Sequence, residues 1–516
     1  MDSTSKYIAG LDIGTTSTKA TIFTESGRFV SSHSIEYPII HPKPDWAEQD
    51  PSVIYLAVLN SIRSAIIKAD IHGTQLIGIG ISSAMHSLIA VDQEGELLTN
   101  SIIWADNRSI DYVRKLKEDL NGHQIYMRTG TPIHPMSPLS KLLWMKGERP
   151  DIFAKAAKWI SIKEYITWKW FHTYFVDYSI ASTTGLFNLN ELEWDQDVLT
   201  LLGIDKEKLS QPVPTTAVYQ GMDRDAADFM GIPADIPIVA GASDGVLANL
   251  GVGAIEEGEL AVTIGTSGAI RTVVSQPLTD PEGRTFCYAL SEDKWVIGGP
   301  VNNGGIALRW FKDQFVSYEN AIPTEKDSFE ALIDSASDIP AGAQGLLFLP
   351  YLTGERAPHW NADARGVFFG ISLAHQKEHF VRSVMEGVAY AVYSVGKVLN
   401  SLAGSSKVIR VSGGFARSDI WRQIVADVFD ESVVVPESHE SSGLGAAVLT
   451  LYALGHIDSL EKVKEMVHVS AVQNAISENA AIYRELFGVY ERVYKNLEEE
   501  FKIIAEFQRR RDNSIS

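Results

Sequence analysis

One turn occurs twice in this chain, and any fold must accommodate both copies. "YIAGLDIGTTSTKATIF" (7–23) and "LAVTIGTSGAIRTVV" (260–274) each run as an apolar segment into Ile-Gly-Thr and on into a second such segment. A β-branched run on each side of a tight polar turn reads as a β-hairpin. One copy falls in each half, which implies two related domains. The length agrees, since 516 residues exceed what a single hydrophobic core normally serves. The glycines and acids of "LGVGAIEEGE" (250–259) interrupt the apolar runs and mark the boundary. The expected division is a first domain over 1–253, a second over 254–455, and a helical extension over 456–516 packed on the second.

Further strands are expected at "QLIGIGIS" (75–82) and "SLIAVD" (87–92). "KVIRVSGGFARSDIWRQIVADVF" (407–429) reads as strand, glycine turn and helix, with Ile420, Ile424, Val425 and Val428 on one buried face. "SVVVP" (432–436) is another strand, and the small-residue run "SSGLGAAVLTLYALG" (441–455) another helix. This alternation defines an α/β fold.

Within the first hairpin, "DIGTTSTK" (12–19) brings backbone N–H groups and the hydroxyls of Thr15, Thr16 and Ser17 around a glycine. Such a turn can cradle phosphate oxygens, with Lys19 adding a positive charge. Asp12, at its strand end, is placed to orient a Mg²⁺ ion. Thr266 occupies the equivalent turn in the second hairpin. The pattern is not a P-loop, whose lysine follows a longer glycine loop at a strand-to-helix junction. In "GASDGVLANLG" (241–251) a lone carboxylate, Asp244, opens a short apolar helix. Either it caps that helix or it does chemistry, and these residues alone leave both open.

Composition narrows the partners. Lys and Arg number 45 against 65 Asp and Glu, a net charge of −20, which opposes binding to nucleic acid or an anionic membrane. The single cysteine, Cys287, excludes an intrachain disulfide and a cysteine-built zinc site. The amino terminus lacks the basic start and long apolar stretch of a signal peptide. No uninterrupted apolar run reaches the roughly 18 residues that a bilayer span needs. The expected location is the cytoplasm, and the oligomeric state, a homodimer included, stays open.

Taken together, "LDIGTTSTK", "GASDG", "TIGTSG" and "VSGGFARSDIW" resemble the FGGY carbohydrate kinases of the actin/Hsp70/hexokinase ATPase superfamily. "GVFFGISLAHQKEHFVRSVMEG" (366–387) resembles the family's second signature. "MSPLSKLLWMKGE" (136–148) resembles the first, with Gly147 where the family usually has a polar side chain. The resemblance covers roughly residues 6–455. Within the family, "SSAMHS" (82–87), "WADNRS" (104–109), "RTGTPIHPM" (128–136), "IKEYI" (162–166) and "GGPVNNGG" (298–305) resemble the gluconate-phosphorylating branch. Pentulose kinases tend to carry Met-His-Gly where this chain has Met85-His86-Ser87.

The resemblance implies two actin-like, ribonuclease H-like domains facing each other across a catalytic cleft, and phosphorylation of a sugar acid by Mg²⁺-ATP. It makes Asp244 the general base and the two hairpin turns the phosphate grip. Gly305, Arg309, Gly414 and Ser418 would meet the nucleotide, and His86, Trp104, Asp106 and Asp244 the sugar. Lys163 and His134 are candidates for reading the substrate's carboxylate. A pentulose such as xylulose, a polyol such as glycerol, or another sugar acid is the alternative substrate.

Overall fold

Both Ile-Gly-Thr stretches are antiparallel hairpins, and each begins a sheet. In the computed structural model, which describes residues 5–316, 328–437 and 440–515, Tyr7–Ile13 pairs with Ser17–Thr24 and Glu259–Ile264 with Gly268–Val274. Each turn closes through its glycine, the second one residue tighter: the Gly14 N–H donates to the Ser17 carbonyl at 3.0 Å, and the Gly265 N–H to the Ser267 carbonyl at 2.9 Å.

The chain forms two compact units, one of residues 1–256, 273–297 and 440–468, the other of residues 257–272, 298–439 and 469–516. In the first unit a six-stranded sheet runs in the order Val218–Tyr219, Ile238–Ser243, Leu76–Ser83, Tyr7–Ile13, Ser17–Thr24, Phe29–Glu36. Ile238–Ser243, Leu76–Ser83 and Tyr7–Ile13 are mutually parallel, so their carboxyl ends share one edge. In register, Asp12 lies opposite Ser82, and Ser82 opposite Ala242. The helix Pro51–Ala69 starts at Asp50, whose carboxylate accepts from the Ser52 N–H at 2.8 Å. By length and hydropathy this helix could cross a membrane. It instead places Ile54, Val58, Ile62 and Ala65 in the core formed with Ile22, Ile79 and Ile81, as a core helix does.

The helix Ser441–Ala453 follows the second hairpin in sequence but packs within the first unit. The physical reason is glycine at its contacts, on the helix and on the elements it meets. A Cβ on Gly10 would collide with the Gly443 carbonyl, one on Gly251 with the Ser441 carbonyl, and one on Gly445 with the Leu247 carbonyl. Backbone therefore lies on backbone, which only small residues permit. The 456–516 extension also divides, since its first part joins the first unit and the long helix Ser477–Ile515 lies in the second.

The second unit's sheet is built on Glu259–Ile264, parallel to Val408–Ser412, which is in turn parallel to Val433–Pro436. Val469–Gln473 adds an antiparallel edge. The helix Asp419–Phe429 follows the glycine turn as expected and buries Ile424, Val425 and Val428, although Ile420 is only partly covered. Gly147, the departure from the first signature, faces Tyr112, whose hydroxyl a Cβ there would displace.

Gly10→Val should lower the melting temperature markedly, since overpacking of this kind costs about 1–3 kcal/mol and the obstacle is backbone. Thermal denaturation followed by circular dichroism checks it. A wild-type melting temperature would mean that helix and sheet separate freely.

Candidate active site

The shared edge of the three parallel strands is where α/β sheets characteristically bind ligands. Asp12 and Asp244 both arise there. Asp12 is partly buried, and its Oδ1 accepts from Ser82 Oγ at 2.7 Å. Burial raises its pKa, opposed by the Ser82 hydrogen bond and the charge of Lys19. A cation at this carboxylate would relieve that penalty. Among the described residues no group of three or more His, Cys, Asp or Glu is arranged to hold a metal. One carboxylate suits Mg²⁺, which commonly takes one or two from a protein and fills its remaining positions with phosphate oxygens and water.

Asp244 is the first residue of the helix Asp244–Gly251 and is half-buried. The cap residue is Ser243, but its side chain makes no capping bond. The Gly245 N–H instead donates to Asp244 Oδ1 at 2.6 Å, so the carboxylate partners one first-turn N–H.

In the first hairpin turn, Thr15 Oγ1 accepts from Trp104 Nε1 at 2.9 Å, and the Thr15 carbonyl accepts from Gln49 Nε2 at 2.5 Å. Trp104, expected at the sugar, is thus tied to the turn expected at the phosphates. Thr16 is exposed and Ser17 partly so. Lys19 forms an ion pair with Glu440 at 3.2 Å, with side chains 37% and 22% exposed. A pair that open is worth roughly 0–1 kcal/mol, so a stronger anion can draw the ammonium away.

His86 is buried and takes a left-handed backbone, φ 69°. Its Nδ1 lies 2.8 Å from the Thr183 carbonyl. A carbonyl only accepts, so Nδ1 carries the proton and Nε2 of the neutral ring is an acceptor. The His86 carbonyl accepts from Lys141 Nζ at 2.6 Å, and the same Nζ donates to Ile103 at 2.9 Å and Ile102 at 3.2 Å. Burial pushes Lys141 down to about 7. Three carbonyls match the three donors of an ammonium, and they join the His86 turn to the segment leading into Trp104. Sequence reasoning did not single out Lys141. The available signal was a lysine on the helix Pro138–Glu148 between Leu139, Leu142 and Leu143, all buried.

Three sequence expectations meet different geometry. Asp106 is fully buried. Arg108 engages both of its oxygens, from 2.8 to 3.0 Å, and the Ala47 N–H donates to Oδ2 at 2.7 Å. Such a carboxylate fastens its own loop and has little capacity left for a hydroxyl. Lys163 is spent on Asp177 at 2.7 Å, both side chains buried. His134 Nδ1 accepts from the Met136 N–H at 3.2 Å, inside its own turn.

In the second unit, Thr266, Gly305, Arg309, Gly414 and Ser418 all line one pocket of about 610 Å³, within the range of small-molecule and cofactor sites. Two features build its rim. The Gly305 N–H donates to the Gly265 carbonyl at 2.6 Å, starting the helix Gly305–Phe315 against the second hairpin turn. Ser418 caps the helix Asp419–Phe429 by accepting from the Trp421 N–H at 3.2 Å. Phe329 and Ile333, from the helix Ser328–Asp334, add apolar wall that sequence reasoning did not identify.

Parallel strands that end at hydroxyl-rich hairpin turns, present in both units, define an actin-like ATPase fold adapted to phosphoryl transfer. The chain belongs to the FGGY family of carbohydrate kinases: residues 7–251 match the family's N-terminal domain and residues 260–454 its C-terminal domain. It is 50% identical to the gluconokinase of Bacillus subtilis (strain 168), over 98% of both chains. The gluconate kinase structure from Lactobacillus acidophilus superimposes with TM-score 0.92 at 38% identity, covering 97% of this chain and 100% of that one. A ligand-bound xylulose kinase structure from the same organism gives TM-score 0.92 at 39% identity and the same coverage.

Beside His86 lies a small cavity of about 30 Å³ that Glu164 and Thr183 also line. Burial raises Glu164 to about 7, although it accepts from the Ser161 N–H at 2.6 Å. Between its ordinary value of 4.5 and 7 the folded chain holds a proton that the unfolded chain has lost. This contribution to stability is therefore full below 4.5 and disappears as pH rises through 7. Relative to Glu164→Gln, the wild type should lose about 3 kcal/mol across that window, read by urea unfolding at its two ends. A pH-independent difference would mean that Glu164 titrates normally.

Proposed function

We propose that the protein phosphorylates D-gluconate at its 6-hydroxyl with ATP. The observation that carries the substrate is the 50% identity to a gluconokinase over 98% of both chains. In this reading Asp244 takes the proton of the 6-hydroxyl as that oxygen forms its bond to the γ-phosphorus. The bond from the γ-phosphorus to the β–γ bridging oxygen breaks, and ADP leaves with that oxygen. A helix N-terminus suits the negative charge of the carboxylate before it accepts the proton.

The first turn, with Thr15, Thr16 and Ser17, supplies N–H and hydroxyl donors to the phosphates, and Lys19 exchanges Glu440 for a phosphate oxygen. Thr266, Gly305, Arg309, Gly414 and Ser418 hold the nucleotide. Asp12 would hold Mg²⁺, which when bound neutralises phosphate charge. His86 offers Nε2 to a sugar hydroxyl, and Trp104 lines the same site. Dependence on ATP supports a cytoplasmic location.

A second reading, a pentulose kinase, has its own support, since the xylulose kinase structure matches as well as the gluconate kinase one. An ADP-coupled assay with gluconate, xylulose and glycerol decides. Gluconate should give the highest kcat/KM, and a clear preference for xylulose would replace the proposed substrate. Asp244→Ala should lower kcat by roughly 10²–10⁴-fold while ATP still binds, the range typical of a lost general base. Near-normal turnover would remove Asp244 from this role.

A further inference from the structure

Lys163 and Asp177 take no part in the reaction just described, yet both charges are buried beside the strand that leads to Asp244. Their side chains are 4% and 1% exposed and meet at 2.7 Å. Burial pushes Lys163 down and Asp177 up, each opposed by its partner's charge. Replacing such a pair with apolar residues is often neutral or stabilising, so its presence is weak evidence for a stabilising role.

The partners' other contacts point elsewhere. Lys163 Nζ also donates to the Ala242 carbonyl at 3.3 Å, at the end of the strand leading to Asp244. Asp177 Oδ1 accepts from the Ile180 N–H at 2.9 Å and so starts the turn Tyr178–Ser182. On that turn the Ser179 hydroxyl accepts from the Ser243 N–H at 3.1 Å and donates to Ser243 Oγ at 3.1 Å. Four residues on, the Thr183 carbonyl fixes His86 Nδ1 at 2.8 Å. One turn therefore holds both the neighbour of Asp244 and the imidazole of His86.

We propose that Ser179 and the Lys163–Asp177 pair are positioning residues, which hold the Asp244 carboxylate and the His86 imidazole at a fixed separation. The inference rests on the role proposed above for Asp244. Each residue acts through contacts with backbone or with Ser243, without touching substrate.

The test is a double-mutant cycle in the full-length enzyme, run with the sugar that the wild type phosphorylates best. Ser179→Ala should lower kcat roughly ten- to hundredfold, as a small misplacement of a reacting group does. It should leave the KM for ATP within about twofold of wild type. In an Asp244→Ala background the same substitution should cost nothing further, because a positioning residue loses its effect with the group it positions. The combined change Lys163→Met with Asp177→Leu, which leaves no unpaired charge, should behave in the same way and guards against misfolding of the serine variant. Equal losses in both backgrounds, or unchanged kcat in the folded variants, would overturn the proposal. Asp244→Ala alone, read in the wild-type background, separately shows whether the proposed base has failed.

Discussion

The hydrogen-bond ladder joining Tyr7–Ile13, Leu76–Ser83 and Ile238–Ser243 fixes where the chemistry can occur. Its register sets Asp12 beside Ser82 and Ser82 beside Ala242, so the metal candidate and the base candidate rise from one sheet edge. A slip of one residue would turn every side chain on a strand to the opposite face. Asp12 would then exchange places with Ile13, which is wholly buried. The strand cannot slip, because its apolar side chains sit in cores on both faces: Leu11 and Ile13 in one, Ile8 in another.

That sheet in turn depends on close backbone approach by the glycine-bearing helix Ser441–Ala453. The chain returns to the first unit to bring Glu440 to Lys19, and a Ser442 hydroxyl to the Asp244 carbonyl at 3.4 Å. Residues 440–442 thus sit beside site residues that lie 198 and 421 positions earlier in the chain. Charge is handled in the same neighbourhood by local pairing rather than by exposure. Arg108 is spent on Asp106 and Glu48, Lys163 on Asp177, and Lys141 on three carbonyls.

Much of the site was legible because its signals are local. Ile-Gly-Thr between two β-branched runs can form little other than a tight hairpin, and both hairpins are present. Five residues picked from separate second-half segments, Thr266 through Ser418, line one pocket. Asp106 and Lys163 were read differently because their partners are set by tertiary contact. Arg108 lies close in sequence to Asp106, but no pattern says that both turn inward and pair. Lys163 meets Asp177 only because a helix and a short strand pack together. Ser179 carried no signal, since a serine in a helix is ordinary until its neighbours are known, and the signal of Lys141 was no more than a lysine set among leucines.

Taken alone, the amino-acid order determined the two hairpins, the alternation of strands and helices and the residue types gathered at each turn. These follow from side-chain periodicity and from backbone freedom at glycine, which act over a few residues. Tertiary structure decided which carboxylates are spent on arginine or lysine, which unit receives the helix Ser441–Ala453, and how His86 is tautomerised. Those outcomes depend on burial and on hydrogen-bond partners far apart in the chain, where the low dielectric makes each pairing costly to leave unmade.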